Sequence, residues 1–274
     1  MGRFIAAAVE SALAQDYPDL TIVVRDGGST DNSEDLVRSF GPPVWWVSAP
    51  DHGPADALRR AFAVAEGELL GWLNADDLLL PGALRVLAAA LNENPAAVAA
   101  YGLAEWIDEQ GRTTGAYPVK TVEDGDLARE CFVCQPACLF RAAAYRTAGG
   151  IDPRWDCAFD YDLWIRLARL GSFVHVRQQC ALQRMHPGAK TLRQRRVVFE
   201  EGMALLAHHY GYVPFAWIHS YVCYRIDGRD QVFEPMRDAR WKHLLSVPYG
   251  LWRNRRHPRR FLGDWLAHTR FGAA

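Results

Sequence analysis

The chain has 274 residues, half of them hydrophobic, and a formal net charge of −1. That length suits one large domain or one domain with an appendage, the overall charge names no partner, and no uninterrupted apolar run reaches the ~18 residues that a spanning helix needs. No signal peptide is visible, so a soluble, cytoplasmic protein, peripheral at most to a membrane, is expected.

Charge is unevenly spread. From Lys190 onward there are 15 basic and 7 acidic residues, against 16 and 25 before it. An acidic catalytic body with a basic tail and two ordinary solvated surfaces both fit that split. The six cysteines are Cys131, Cys134, Cys138, Cys157, Cys180 and Cys223. The "CFVC" spacing has no second pair to complete a zinc site, so buried free thiols in a reducing compartment are expected.

"GRFIAAAVESALAQDYP" puts Phe4, Ile5, Ala8, Val9, Ala12 and Leu13 on one helical face, and Pro18 follows its end. "LTIVVR" is a β-branched run short enough for a buried strand. "DGGSTDNSEDLVRSF" gives a glycine turn and a helix start, with Asp31 and Glu34 at capping-box spacing. "VWWVS" is a second strand. "PADALRRAFAVAEG" is a helix with Pro54 near its start and Gly67 at its stop. "ELLGWLN" predicts a third strand, "PGALRVLAAALNENP" a helix and "AAVAAYGLAEW" the next strand. Strands alternating with helices over short links predict a parallel sheet covered on both faces, whose ligands sit at the carboxyl ends of the strands. Asp26 and the adjacent Asp76 and Asp77 fall at such ends. A doubly wound domain normally opens on a strand and this chain opens on a helix, so the first strand is expected to be missing.

After residue 105 the rhythm changes. "EWIDEQGRTTGAYP" predicts a hairpin around Glu109, Gln110 and Gly111. "FVCQPACLFRAAAYRTAGGID" reads as loop, strand, helix and glycine stop, and "DYDLWIRLARLG" as a helix. "FVHVR" and "ALQRM" read as two short strands, and the chain from Thr191 as mainly helical.

Neighbouring carboxylates repel unless a cation or a proton relieves them. A divalent metal beside a diphosphate would do so by binding both kinds of oxygen. A helix N-terminus near Pro81 also welcomes acids.

"VVRDGGSTDNS", "NADD", "QPACLFR", "GGIDPRWDCAFDYDLWIRL" and "QRMHPGAKT" come in this order between Gly2 and Thr191, roughly two-thirds of the chain. Together they resemble the family-two nucleotide-sugar glycosyltransferases, which have the GT-A fold. The resemblance implies an α/β, Rossmann-type, mostly parallel sheet flanked by helices over residues 1–190, followed by a helical basic extension over 191–274. It implies that Asp26 faces the base and ribose of the donor, with Gly27 permitting close backbone approach. Asp51, Gly53 and Asp56 would line the donor pocket, although Asp56 reads equally as the acidic first turn of a helix. In "NADD", Asn74 stands where the family often has an acid and Asp76 where it usually has the metal ligand, with Asp77 placed to share the ion. Asn74 lowers the negative charge of that site. His186 would reach the metal, Mn²⁺ or Mg²⁺, or the diphosphate, and Lys190 would screen phosphate charge.

Asp160 aligns with the second acid of the family's motif near the acceptor; Phe159 replaces the first. Inverting transfer needs a base for the acceptor hydroxyl, and Asp160 fits that role as well as that of a helix cap. Asp162 reads as structural. Gln135 and Pro136 read as shaping the acceptor side or as a plain strand entry, Trp155 as a surface for a sugar face, and Trp164 as core.

The function implied is sugar transfer from a nucleotide-sugar to an acceptor hydroxyl on a saccharide or lipid-linked acceptor. The alternatives are an inactive nucleotide-sugar-binding partner of another transferase and, ranked low because no Gly-rich phosphate loop is found, a nucleotidyltransferase. Arginines beside Trp252, Phe261 and Trp265 in the tail suit either a solvated helix pair or an anionic membrane surface. No nucleic-acid motif accompanies them.

Overall fold

The computed structural model describes residues 2–121 and 126–271. The chain divides into two compact units, one holding the residues up to Leu127 and Cys131–His186, the other Ala128–Glu130 and the chain from Pro187.

The first unit runs α1 (Gly2–Leu13), β1 (Ile22–Asp26), α2 (Ser33–Arg38), β2 (Val44–Ser48), α3 (Pro54–Ala63), β3 (Leu69–Leu70), β4 (Leu78–Leu79), α4 (Ala83–Glu93), β5 (Ala97–Ile107), β6 (Thr113–Ala116), β7 (Cys138–Arg141), α5 (Ala142–Thr147), α6 (Phe159–Ala168) and β8 (Ser172–Arg184). Strands β1 and β2 form a parallel pair that ends with Asp26 opposite Ser48. The larger sheet has the order β3-β7-β5-β8-β4, with β6 hairpinned onto β5. Within it β5 and β8 are parallel and the other pairings antiparallel. The sheet is therefore more mixed than the early strand–helix alternation implies. That alternation stops at β5, and strands joined without a crossover helix return antiparallel.

Three local expectations change. The expected third strand pairs only at Leu69 and Leu70, because the carbonyls of Trp72 and Asn74 are used by Gln135 and Asp77 instead of by a ladder. The two short strands at 173–185 are one strand, β8, whose register against β5 shifts between Gly102 and Ala104. The polar Arg177, Gln178 and Gln179 that look like a break are carried by this irregularity. Asp31 accepts from the amide and hydroxyl of Ser33 and the amide of Gly2, and Glu34 pairs with Arg38 at 2.8 Å, so no Asp31–Glu34 box closes.

The larger sheet is dry on both faces. Helix α4 packs Leu84, Leu87, Ala88 and Leu91 over Ala100, Ala104 and Ala181. The opposite face carries Tyr101, Phe140, Leu163 and Trp164, with Phe62 from α3. Trp164 is fully buried and stacks on Trp72 with centroids 5.5 Å apart. Beside β1 and β2, α1 inserts Ile5 and Val9 against Val37 and Val44. The six cysteines form no disulfide among the described residues, and Cys134, Cys138, Cys180 and Cys223 are buried.

The second unit contains α7 (Lys190–Arg193), α8 (Arg195–Tyr210), α9 (Phe215–Asp227), α10 (Arg240–Arg253) and α11 (Pro258–Phe271). Its core is Phe199, Met203, Val213, Phe215, Ile218 and Phe261. Helix α10 is inverted. Lys242, Ser246, Gly250 and Asn254 are its buried face, while Trp241, Leu244, Leu245 and Trp252 are exposed. No helix among the described residues is long and apolar enough to cross a membrane.

Gly102 holds the β5–β8 register. A Cβ there would lie 2.3 Å from Cys180 Sγ and 2.9 Å from the Gln178 carbonyl oxygen. Gly102→Ala is expected to lower stability by about 1–3 kcal/mol, as overpacking does, and Cys180→Ala in the same chain to recover part of the loss, both read as urea midpoints.

Candidate functional site

The acid pair sits in the connection between β3 and β4. The amide of Asp77 donates to the Asn74 carbonyl at 3.1 Å, which closes a tight turn and leaves Asp76 and Asp77 buried. Strand β4 then pairs with β8 through Leu78–Leu182 and Leu79–Ala181, so the far end of β8 is delivered to the pair. Asp77 Oδ1 accepts the amide of Arg184 at 2.8 Å and its Oδ2 accepts Asn74 Nδ2 at 3.0 Å. Asn74 Nδ2 also donates to Gln135 Oε1 at 3.0 Å, and Gln135 donates in turn to the Trp72 carbonyl. Asp76 Oδ2 lies 3.0 Å from His186 Nε2.

Arg184 is the residue that sequence reasoning missed. It is buried, its guanidinium donates to the carbonyls of Asp76 at 2.9 Å and Asp108 at 2.8 Å, and it lies 4.7 Å from the centre of the Phe4 ring. It braces the main chain behind the acids and forms no ion pair with either. An arginine ending an otherwise half-apolar strand two residues before a histidine was the available signal, but its partners are backbone atoms that no sequence pattern marks.

Burial, then the neighbouring Asp76 charge, push the Asp77 carboxyl well above the ordinary carboxylate range, against the opposing bonds from Arg184 and Asn74. The surroundings of the pair therefore favour a proton or a cation on it. His186 is buried too, and its Nδ1 has no hydrogen-bond partner. The donor set fits a divalent ion. Asp76 Oδ2 and His186 Nε2 meet at 3.0 Å, so both donor atoms would face one ion. A carboxylate with an imidazole suits Mn²⁺ better than the harder Mg²⁺.

A second group gathers at the ends of β1 and β2. Asp26 is buried, and its carboxylate accepts the amides of Gly28 and Ser29 and the hydroxyl of Ser48, the last at 2.7 Å. Burial raises its pKa, but the bonds from Ser29, Ser48 and Gly28 together outweigh it and hold the group below the ordinary value. Asp26 thus shapes the glycine turn in which Gly28 adopts φ +105°. A Cβ on Gly27 would lie 2.8 Å from Asp51 Oδ2, so the turn presses its bare backbone against that acid. Asp51 in turn accepts the Gly53 amide at 2.9 Å. Gly53 has φ +107°, and a Cβ there would lie 3.2 Å from Asp156 Oδ1 on the segment that leads into α6.

Asp56 stands apart. It is buried in the first turn of α3, where Arg59 at 2.9 Å and Arg60 at 2.7 Å hold it. The hydrogen bond from Arg59 leads the effects that lower its pKa to about 2. The acidic-first-turn reading describes this placement.

Asp160 lies in the first turn of α6, after the N-cap position Ala158, and its Oδ1 accepts the first-turn amide of Tyr161 at 2.7 Å. Desolvation pushes its carboxyl up to about 6. The Cys134 thiol, beside Gln135, is raised first by burial and then by the charge of Asp77, with Asp160 also contributing. Phe159 packs its ring 6.1 Å from Trp72. Asp162 is buried against Arg166 at 2.6 Å and is structural, as expected. Two cavities, one lined by Arg59, Asp152 and Arg166 and one by Tyr212, Arg260 and His268, include none of the sequence-predicted site residues.

The model of the family described as Glycosyl transferase family 2 matches residues 2–147, more than half of the chain. The chain belongs to glycosyl transferase family 2. This family 2 chain is 25% identical over 187 residues to the chondroitin synthase of Escherichia coli, covering 67% of itself and 27% of that protein. It is 27% identical over 204 residues to an uncharacterized glycosyltransferase of Rickettsia typhi, covering 69% of itself and 62% of the relative. It therefore spans only about a quarter of the length of the first of these relatives. In fold it is similar to S. aureus TarS residues 1–349 solved with UDP, at TM-score 0.59 and 17% identity over 82% of this chain and 70% of that one. It is also similar to the mannosyltransferase PcManGT of Pyrobaculum calidifontis, solved with GDP-Man and Mn²⁺, at TM-score 0.57 and 16% identity over 100% of this chain and 73% of that one. The family 2 chain has the GT-A fold.

A raised Asp77 binds its proton more tightly folded than unfolded. In chelator its contribution to stability is therefore greatest at low pH and lost as pH rises through the folded value. Mn²⁺ is expected to raise Tm more at pH 7.5 than at pH 5, and His186→Gln to remove most of that rise, followed by thermal unfolding at both pH values.

Proposed function

We propose that this chain transfers a sugar from a nucleotide-diphosphate donor to an acceptor hydroxyl with inversion at the anomeric carbon. The observation that carries the proposal is the buried Asp76–His186 pair, 3.0 Å apart and backed by Asp77, whose carboxyl is raised by burial and by the Asp76 charge. Neighbours of the same fold solved with UDP-GlcNAc, or with GDP-Man and Mn²⁺, support a nucleotide-sugar donor and a divalent ion. Chondroitin and hyaluronan synthases among the relatives support a saccharide acceptor and polysaccharide assembly.

Asp76 and His186 would hold the ion, with Asp77 behind them. When bound, a divalent cation neutralises the departing diphosphate. The protein residues do the rest. Asn74 and Gln135 tie the acid turn to the segment before β7 and fix Asp77 in one rotamer. Asp26 sets the glycine turn, so that Gly27, Asp51 and Gly53 offer a backbone surface and one carboxylate to the nucleoside. Asp56 orders the start of α3 through its arginines and, through the His52 amide, holds the loop of Asp51 and Gly53 on the donor side. Asp160 accepts the proton of the attacking hydroxyl. A carboxyl raised by desolvation is a stronger base than an exposed one and is still ionised at neutral pH.

Asp160→Asn is expected to cut turnover by about 10²–10⁴-fold, the usual contribution of a general base, while leaving donor affinity unchanged. In the unaltered chain, turnover is expected to rise with pH through about 6 as Asp160 ionises. Full activity in Asp160→Asn would remove it from the mechanism, and donor binding without turnover in the unaltered chain would favour an inactive binding partner.

We also propose a peripheral contact with an anionic membrane surface, which would keep the protein cytoplasmic while presenting it to a lipid-linked acceptor. Supporting this, α10 turns Trp241, Leu244, Leu245 and Trp252 outward, and Arg255, Arg256, Arg259 and Arg260 lie exposed after it. Aromatic and leucine side chains with flanking arginines are the chemistry of interfacial helices. Leu244→Glu with Leu245→Glu is expected to weaken co-sedimentation with vesicles of anionic lipid about tenfold or more. Equal partitioning onto anionic and neutral vesicles would count against it.

A further inference from the structure

The second unit contains a cluster that the proposed transfer does not use. Helix α9 supplies His219, α10 supplies His243 in its first turn, and Asp238 stands just before α10, at the end of the irregular connection that follows Gly228. His219 Nε2 lies 3.0 Å and His243 Nδ1 3.3 Å from the same oxygen, Asp238 Oδ1. The imidazoles stack with centroids 4.0 Å apart, and the three donor atoms lie within 4.8 Å of one another. Phe215 stacks on both rings and walls one side.

The contacts around His219 fit one tautomer in particular. Ser246 Oγ donates its one proton to the Lys242 carbonyl at 2.7 Å, so toward His219 Nδ1, 3.2 Å away, it acts as acceptor. In the matching tautomer Nδ1 carries the hydrogen. In a neutral imidazole that leaves a bare lone pair on Nε2, facing the Asp238 carboxylate. Two acceptors at 3.0 Å repel unless something positive joins them. Lys242 is not that group: its ammonium is held by Asp227 at 2.5 Å and by the Arg237 carbonyl.

We propose that His219, Asp238 and His243 bind a divalent transition-metal ion, Zn²⁺ by ligand chemistry, which clips the connection between α9 and α10 to both helices. Two neutral imidazoles and one carboxylate are a common zinc donor set, one that leaves a further position open. Cys223, one helical turn after His219 and with Sγ 3.6 Å from His219 Nε2, offers a soft donor at the margin. The site differs from the acid pair in unit, ligand set and purpose, since binding here stabilises the fold.

The test uses the full chain carrying His186→Gln, so that the acid pair does not contribute a second ion. After chelation and dialysis against Zn²⁺, bound metal is counted by mass spectrometry and thermal unfolding is recorded. Asp238→Asn, at a half-exposed side chain, and His243→Gln are expected to lose one bound equivalent each and to abolish the Zn²⁺-dependent rise in Tm. Co²⁺ substitution should give visible d–d absorption that the same substitutions remove. Unchanged metal content and unchanged Tm response in Asp238→Asn would overturn the proposal. So would a chelated parent that Zn²⁺ does not stabilise, since a proton would then be what joins His219 to Asp238.

Discussion

The site depends on one unfavourable contact. Two adjacent carboxylates, Asp76 and Asp77, are both withdrawn from water. Such a pair persists only if the surrounding structure holds it in place. Here the hold comes from far along the chain: the amide of Arg184 on Asp77, the guanidinium of Arg184 on the Asp76 carbonyl, and His186 on the Asp76 side chain. All three lie at or just past the end of β8, which reaches the acids because β4 pairs with it antiparallel. The mixed sheet thus serves the site, since a purely parallel arrangement would not return this strand end to the acid turn.

The same logic explains why β3 is so short. A full strand from Glu68 to Asn74 would commit the carbonyls of Trp72 and Asn74 to a ladder. The protein uses them to anchor Gln135 and to close the turn at Asp77. Chain that reads as strand is diverted into polar scaffolding, and the aromatic layer of Trp72, Phe140 and Trp164 beneath it supplies the packing that the lost ladder does not.

Much of this was legible in the sequence. Apolar period and turn residues locate α1, β1, β2, α3, α4 and β5, and the ordered motifs mark the family. Asp76, Asp77, Asn74 and His186 were named from "NADD" and "QRMHP" and are joined by direct contacts. Other residues were ambiguous because their environment, not their type, decides their state. Asp26 and Asp56 are both acids after a strand, yet one is wrapped by its own turn and the other clamped by arginines three and four residues on. Arg184 was invisible because it binds carbonyls. The direction of β7 and the continuity of β8 could not be read, since both follow from long-range pairing and from the absence of a side chain at Gly102.

The two units bury polar groups for opposite ends. In the first, carboxylates are buried around charge that is left incompletely matched. In the second, Lys242, Ser246 and Asn254 are buried with their partners in place, which lets α10 turn its apolar side to solvent. An outward row of tryptophan and leucine costs solubility and adds nothing to the fold's own core. The polar inner face makes the inversion structurally tolerable, and so the outer face is free to be set by whatever the helix contacts. That separation of a helix's folding side from its contacting side is the physical ground for reading α10 as an interface element rather than as a packing error.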